Sequence, residues 1–490
     1  MNAQPLTTAA FLMCVACGSS LMAQSSSVSY PPARRGDVID DYFGTKVADP
    51  YRWMEDLNSP ELKQWVDAEN ALAFAYLNAL PQRDALKARI TELSNYAKVT
   101  PPQYEGGRWF YSRNSGLLRQ SVVFMREALN GPETVVLDPN RLSPDGSIAL
   151  SAFVPAPDGR HFAYGQSQGG SDWSTYYVRE LGTGRQLPDV IRWVRSLGVA
   201  WTKDGHGFFY GSHPEPRPGK ALEDTVRDKK IYYHVLGTPQ SADLLIYERP
   251  EEPMLFIEVD IDETGRYVFV QTQKSLSRNE LIVKDLADPL VPRLDAPARP
   301  LYVGHTASYK PLGIVDGTLY LLTDRDAPNK KVVAVSINRP DPANWKTVVP
   351  ETKNAIETAH LVAGRIAVSA LVDVAGEVRF HTLDGTPAGR ITTPGLGSVT
   401  GPFGRCARPE IFYTFTSPLY PLTVFRFDLT SGNSTPFEAP TMTFDPGRYV
   451  TERVLTASKD GTHVPVLITH RIRSNSARPC KRRRAVTSPC

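Results

Sequence analysis

The chain of 490 residues is 41% apolar and 22% charged, with a formal charge of +3. This composition excludes a disordered or polytopic membrane polypeptide, and the length admits two or more domains around a large core. Arg471, Arg473, Arg478, Lys481, Arg482, Arg483 and Arg484 follow His470 without an acid, so the chain up to His470 carries −4, which excludes the clustered basic face of a nucleic-acid binder.

The first predicted element is an export signal. Thr7 to Met22 is small and apolar around Phe11-Leu12-Met13-Cys14-Val15-Ala16-Cys17, Ala23 suits a cleavage site, and Gln24-Ser25-Ser26-Ser27 reads as a polar mature start. A signal peptide over residues 1–23 places the protein in the periplasm or outside the cell. Lipidation at Cys14 or Cys17 is the alternative fate of that segment. The apolar stretch is too short for a membrane span, and no other segment qualifies.

Residues 24–100 read as an N-terminal helical arm. Ser59-Pro60-Glu61 is a helix start: a hydroxyl cap, a proline in the first turn, and an acid at the positive end of the helix. Leu62, Trp65, Val66, Glu69, Leu72 and Tyr76 follow at helical spacing. Pro81 interrupts, and Leu86, Ile90 and Leu93 continue the pattern in a second helix over Gln82 to Tyr96.

Over 101–446 the period becomes that of strands. A glycine turn followed by an apolar or aromatic strand recurs at Gly107-Arg108-Trp109-Phe110-Tyr111, Asp158 to Tyr164, Asp204 to Tyr210 and Gly265 to Val270. It returns at Asp316 to Leu322, Gly364 to Val368 and Pro409 to Tyr413. Seven copies, roughly 44–60 residues apart, match the spacing of four-stranded propeller blades. Outgoing strands follow at Tyr176 to Arg179, Val332 to Val335 and Val424 to Asp428. The expected fold is mainly β: a seven-bladed propeller, with an array of β-sandwiches as the competing arrangement.

No catalytic, cofactor-binding or metal-binding residue is assigned. Gly165-Gln166-Ser167-Gln168-Gly169 matches the Gly-x-Ser-x-Gly elbow, but the elbow needs a strand-to-helix turn to lift the serine. Here strands are expected on both sides, so Ser167 is read as part of a loop between blade strands. His161, His206, His213, His234, His305, His360 and His381 scatter through the repeats without metal-binding spacing. Beyond the leader, Cys406, Cys480 and Cys490 form neither a disulfide framework nor a zinc site, and Cys406 is expected to be a buried small residue.

Several segments resemble the prolyl oligopeptidase family of serine peptidases. They are Asp49-Pro50-Tyr51-Arg52-Trp53-Met54-Glu55-Asp56, Tyr164-Gly165 through Gly170-Ser171-Asp172-Trp173, and Leu187-Pro188-Asp189-Val190. Trp201 to Gly205, Ile231 to Thr238, Phe412 to Ser417 and Ser458 to Thr462 complete the set. The resemblance implies a propeller capping an α/β-hydrolase domain whose Ser, His and Asp cleave short peptides after proline, with the propeller gating access. It also implies that the arm belongs to the hydrolase domain and that 447–471 holds that domain's returning first strands.

The composition then breaks in mid-motif, and 472–490 reads as an aberrant basic tail from a frameshift or truncation. The family's oxyanion tyrosine, serine elbow and later Asp and His have no counterpart here, so the chain alone is expected to be inactive. Short proline-containing peptides and a separately encoded hydrolase fragment are the expected partners. No nucleic acid and no cofactor is expected. The alternative is a stand-alone propeller that binds peptides or proteins.

Overall fold

The computed structural model describes residues 29–195, 198–221, 224–275, 277–441 and 444–472. The expected leader at 1–23 and the basic tail beyond Ile472 lie outside the described residues. Strand (47%) far outweighs helix (11%), as the repeat predicts. The chain separates into two compact units, one up to Arg89 and one from Ile90.

In the first unit a hairpin pairs Ile39–Tyr42 with Thr45–Ala48. Arg52 ties it down, donating to Asp49 at 2.6 Å and pairing with Asp40, while Trp53 donates to the Arg34 carbonyl at 2.7 Å. Helix α1 (Pro60–Asn78) starts where the sequence places it: the Ser59 hydroxyl accepts from the Leu62 amide, and Glu61 pairs with Arg34 at 2.7 Å. Helix α2 runs from Arg83 to Ser94. Neither helix buries a residue fully. The stripe Leu62, Trp65 and Leu72 is half-buried, whereas Phe74, Tyr76, Leu86 and Ile90 are exposed.

Among the described residues the second unit holds seven four- or five-stranded antiparallel sheets taken in chain order. Blade 1 covers Lys98–Leu137, blade 2 Ile148–Val194, blade 3 Ala200–Tyr247 and blade 4 Phe256–Tyr302. Blade 5 covers Tyr309–Val349, blade 6 Ile356–Arg390 and blade 7 Ser398–Glu438. Each repeat found in the sequence becomes the second long strand of its sheet, from Arg108–Asn114 in blade 1 to Ile411–Ser417 in blade 7. The propeller, and not the sandwich array, is the architecture.

Glycine is required at the joint between blades 1 and 2. Gly106 and Gly159 both have positive φ, and a Cβ on Gly106 would sit 2.4 Å from the Gly159 Cα. The two turns touch backbone to backbone, and Arg108 closes the joint with a 2.8 Å bond to the Gly159 carbonyl.

The core lies between neighbouring sheets. Tyr267, Phe269 and Val283 of blade 4 pack on Tyr309, Leu321 and Val333 of blade 5. Equivalent clusters join blades 5 and 6, and 6 and 7. Blades 2 and 3, 1 and 2, and 3 and 4 are joined in the same way. Trp109 of blade 1 packs on Phe412 and Val424 of blade 7, which closes the ring. Among the described residues no sheet mixes strands from the two ends of the propeller, and side chains hold this seam: Trp109 edge-on to Phe412, Tyr111 edge-on to Phe437, and Arg126 paired with Glu438 at 3.1 Å.

Beyond blade 7, Tyr449–Ala457 pairs with His463–Arg471 in a separate two-stranded sheet around the Ser458–Thr462 turn. None of its residues is fully buried, and Leu455, Val464, Val466 and Ile468 are exposed. Arg453 tethers it to blade 6 through the Val372 carbonyl at 3.1 Å. Among the described residues no helix is long and apolar enough to cross a membrane.

Candidate functional site

The first strands of successive blades neighbour one another, in blades 3 and 4, 5 and 6, 6 and 7, and 7 and 1. They therefore form the inner ring around the axial channel. Strand alternation turns every second residue toward the lumen. Glu258 and Asp260 of blade 4, Lys310 of blade 5, Glu357 of blade 6 and Thr400 of blade 7 are exposed on these strands. These four strands offer the lumen mostly polar groups, with Phe256 of blade 4 an exposed apolar one beside Glu258.

Its electrostatics follow from confinement. Solvent reaches Asp260, yet the surrounding strands desolvate it and raise its pKa, with Asp262 adding repulsion. Desolvation lowers Lys310, as does Lys330. Desolvation, helped by Lys310, pushes His360 down to about 4, so its ring is neutral at physiological pH. The charged forms all cost more here than in bulk water.

Two cavities flank the lumen. One, of 450 Å³, draws Tyr104, Glu263, Leu312, His360 and Phe403 from blades 1, 4, 5, 6 and 7. A cavity touching five blades of seven lies on the axis, and Glu263 places it at the turns between first and second strands. The other, of 570 Å³, includes Ser151, Ser174, Arg195, Lys229 and Phe256, toward the opposite ends of the inner strands. Its basic groups are already matched, Lys229 by Glu258 at 2.5 Å and Arg195 by Asp172.

The serine singled out by motif lies in a strand. Ser167 belongs to His161–Gln168 and is paired with Ala149 on one side and Ser174 on the other. Gly169 and Gly170 then turn the chain into the strand Ser174–Glu180, so no helix follows to raise the hydroxyl. The histidines do not assemble with it. His161 contacts Asp158, His213 the Arg227 carbonyl and His381 the Gly385 carbonyl. Among the described residues no histidine ring is hydrogen-bonded to a serine, and no group of His, Cys, Asp and Glu could hold a metal ion. Cys406, expected to be buried, is instead half-buried in a turn, packed at the edge of the cluster between blades 5 and 6.

Two clusters escaped the sequence reading. His234 is fully buried between Asp189, at 2.9 Å from Nε2, and Asp243, at 2.7 Å from Nδ1. Burial alone would lower its pKa, but the two carboxylates outweigh that and raise it to about 9, so the ring is an imidazolium. Burial would raise Asp189, yet His234 and the Gly237 amide hold it below the usual carboxylate range. The second cluster imitates a catalytic relay: the Thr272 hydroxyl stands 3.3 Å from His305, which lies 3.6 Å from Glu280. Thr272 is fully buried and donates to Glu280 at 3.1 Å, so this group is not a nucleophile. Glu280 also accepts from Gly304 and Arg249, which fixes the chain where blade 4 passes into blade 5.

The sequence profile described as the prolyl oligopeptidase N-terminal beta-propeller domain matches residues 30–440. This chain belongs to the prolyl oligopeptidase family. A prolyl endopeptidase of Elizabethkingia meningoseptica is 34% identical over 454 residues, which cover 92% of this chain and 63% of the relative. Prolyl oligopeptidase A of Amanita bisporigera is 30% identical, covering 92% of this chain and 64% of the relative. A solved structure from a study of two prolyl endopeptidases and their inter-domain dynamics superposes with a TM-score of 0.81 at 32% identity, covering 90% of this chain and 64% of that one. Prolyl oligopeptidase B from Galerina marginata, bound to a 35mer hydrolysis and macrocyclization substrate, superposes at 0.79 with 27% identity, covering 90% of this chain and 65% of that one. The chain thus spans a little under two thirds of these prolyl oligopeptidases. Two of the family-like segments now have a physical role: Leu187–Val190 supplies Asp189, and Ile231–Thr238 supplies His234 and Gly237, which meet in one buried ion cluster. Their pairing could have been suspected from the acid in one segment and the histidine in the other.

Proposed function

We propose that this chain is the propeller part, with the opening of the hydrolase domain, of a serine-type endopeptidase that cleaves short peptides after proline. The propeller restricts access: an extended peptide fits an axial lumen, whereas a folded protein does not. In this reading residues 24–97 and 447–471 are hydrolase-domain segments flanking a propeller that begins at Lys98, where the chain pairs into blade 1, and ends near 446, and a leader at 1–23 directs export to the periplasm or beyond. The observation that carries the reading is the bare apolar surface of those two segments. Leu455 and Leu86 are about 60% exposed, one on a hairpin and the other on a helix. A hydrolase domain is the covering these faces suit.

The nucleophile, base and oxyanion donors belong, on this reading, to residues outside this sequence, so the 490-residue polypeptide alone is inactive. A serine-reactive phosphonate probe applied to it is expected to leave it unlabelled, and stoichiometric labelling would overturn the reading. Co-expression with a hydrolase fragment of a relative is expected to restore cleavage of a proline-containing peptide.

A further inference from the structure

The geometry points to a latch at one mouth of the axial channel. The loop Arg405–Arg408 of blade 7 is held across the opening with the Glu263 carboxylate of blade 4 as its catch. Blades 4 and 7 stand three places apart in a ring of seven, so a bond between their turns has to cross the axis. Two such bonds are made: the Cys406 amide donates to Glu263 Oε2 at 2.8 Å, and the Ala407 amide donates to Oε1 at 3.2 Å.

Glu263 is itself braced, since Lys203 of blade 3 donates to its carbonyl at 3.0 Å. The loop is held from two further sides. In the blade 6 turn, the Ala363 amide donates to the Arg405 carbonyl at 2.9 Å and the Gly364 amide to the Cys406 carbonyl at 2.8 Å. On blade 1, Arg405 donates to the Tyr104 carbonyl at 3.2 Å and pairs with Glu105, while the Arg408 guanidinium lies 3.7 Å from the Tyr104 ring centre.

The loop thus joins turns of blades 1, 4 and 6, and the 450 Å³ axial cavity lies against it. These fastenings are mostly polar, and the catch is one ionised side chain serving two amides, so it is made or lost as a unit. Cys406, the one cysteine among the described residues, is a built-in reporter because its own amide is held by the catch.

The test is alkylation of the full 490-residue chain with iodoacetamide, read by mass spectrometry on the peptide containing Cys406. Because burial and also the Glu263 charge hold the Cys406 thiol up, Glu263→Gln, which removes the charge and keeps one acceptor, is the reference, and Glu263→Ala is expected to speed modification of Cys406 about tenfold beyond it. Hydrogen exchange at Cys406 and Ala407 should accelerate in Glu263→Ala while the strand Ile411–Ser417 stays protected, which separates latch opening from loss of the blade. A Cys406 rate in a folded Glu263→Ala protein no faster than in Glu263→Gln would overturn the proposal. Should that variant not fold, the wild type decides: slow exchange of the Cys406 and Ala407 amides supports the latch, and exchange as fast as a free loop overturns it. Neither readout depends on peptidase activity.

Discussion

At the scale of single residues, His234 is the clearest case of chemistry set by surroundings. Its folded pKa of about 9 lies above the ordinary 6.5, so its contribution to stability is complete below about 6.5 and is lost as the pH rises through 9. Urea unfolding across that window should show stability falling with pH, and His234→Gln should flatten the slope. Asp189→Ala, which strands a buried imidazolium beside one remaining carboxylate, is expected to cost about 3–5 kcal/mol. Val374 is the converse case. It occupies the two-residue turn Asp373-Val374 between the paired Val372 and Ala375, at a φ of 63°, where a β-branched side chain is strained. Val374→Gly should stabilise the chain by about 1 kcal/mol in thermal or urea unfolding, because the left-handed penalty disappears.

At the scale of elements, all seven strand repeats, six marked by a glycine turn and the seventh at Pro409–Tyr413, became the second strand of a blade. Period-2 alternation and turn chemistry are local properties, which is why they were legible. The helices were legible too, down to the Ser59 cap and Pro60 start of α1. Their environment was not: Leu62, Trp65 and Leu72 form the expected stripe, yet periodicity says which residues share a face and nothing about what lies over it. The hairpin Tyr449–Arg471 makes the same point, with apolar residues exposed along both strands. Replacing Leu455 and Val464 together by Lys should reduce aggregation in light scattering and shift the melting temperature little, since neither side chain leaves a core.

At the scale of the whole molecule, the ring closes without a shared sheet. Trp109→Ala at the blade 1–blade 7 seam removes a large buried side chain from a joint that has no strand pairing in reserve, and a loss of about 3–5 kcal/mol is expected. Native-state hydrogen exchange should find the outer strands of blades 1 and 7 opening before those of blades 3 to 5, which have sheet neighbours covalently linked on both sides. The same ring makes an axial lumen in which Asp260, Lys310 and His360 all have their charged forms disfavoured, a property of enclosure that no one strand carries.

The sequence by itself determined the number of blades, their order, the helix starts, the family and the failure of the Gly165–Gly169 motif as an elbow. Each of these rests on residues close together along the chain. Only the tertiary structure decided that Asp189 and His234, 45 residues apart, share a buried ion cluster, and that the amides of Cys406 and Ala407 reach Glu263 across the ring. Those partners are set by how far each blade turns about the axis. That turn is fixed by the packing of whole sheets against one another, which a local pattern of side chains does not encode.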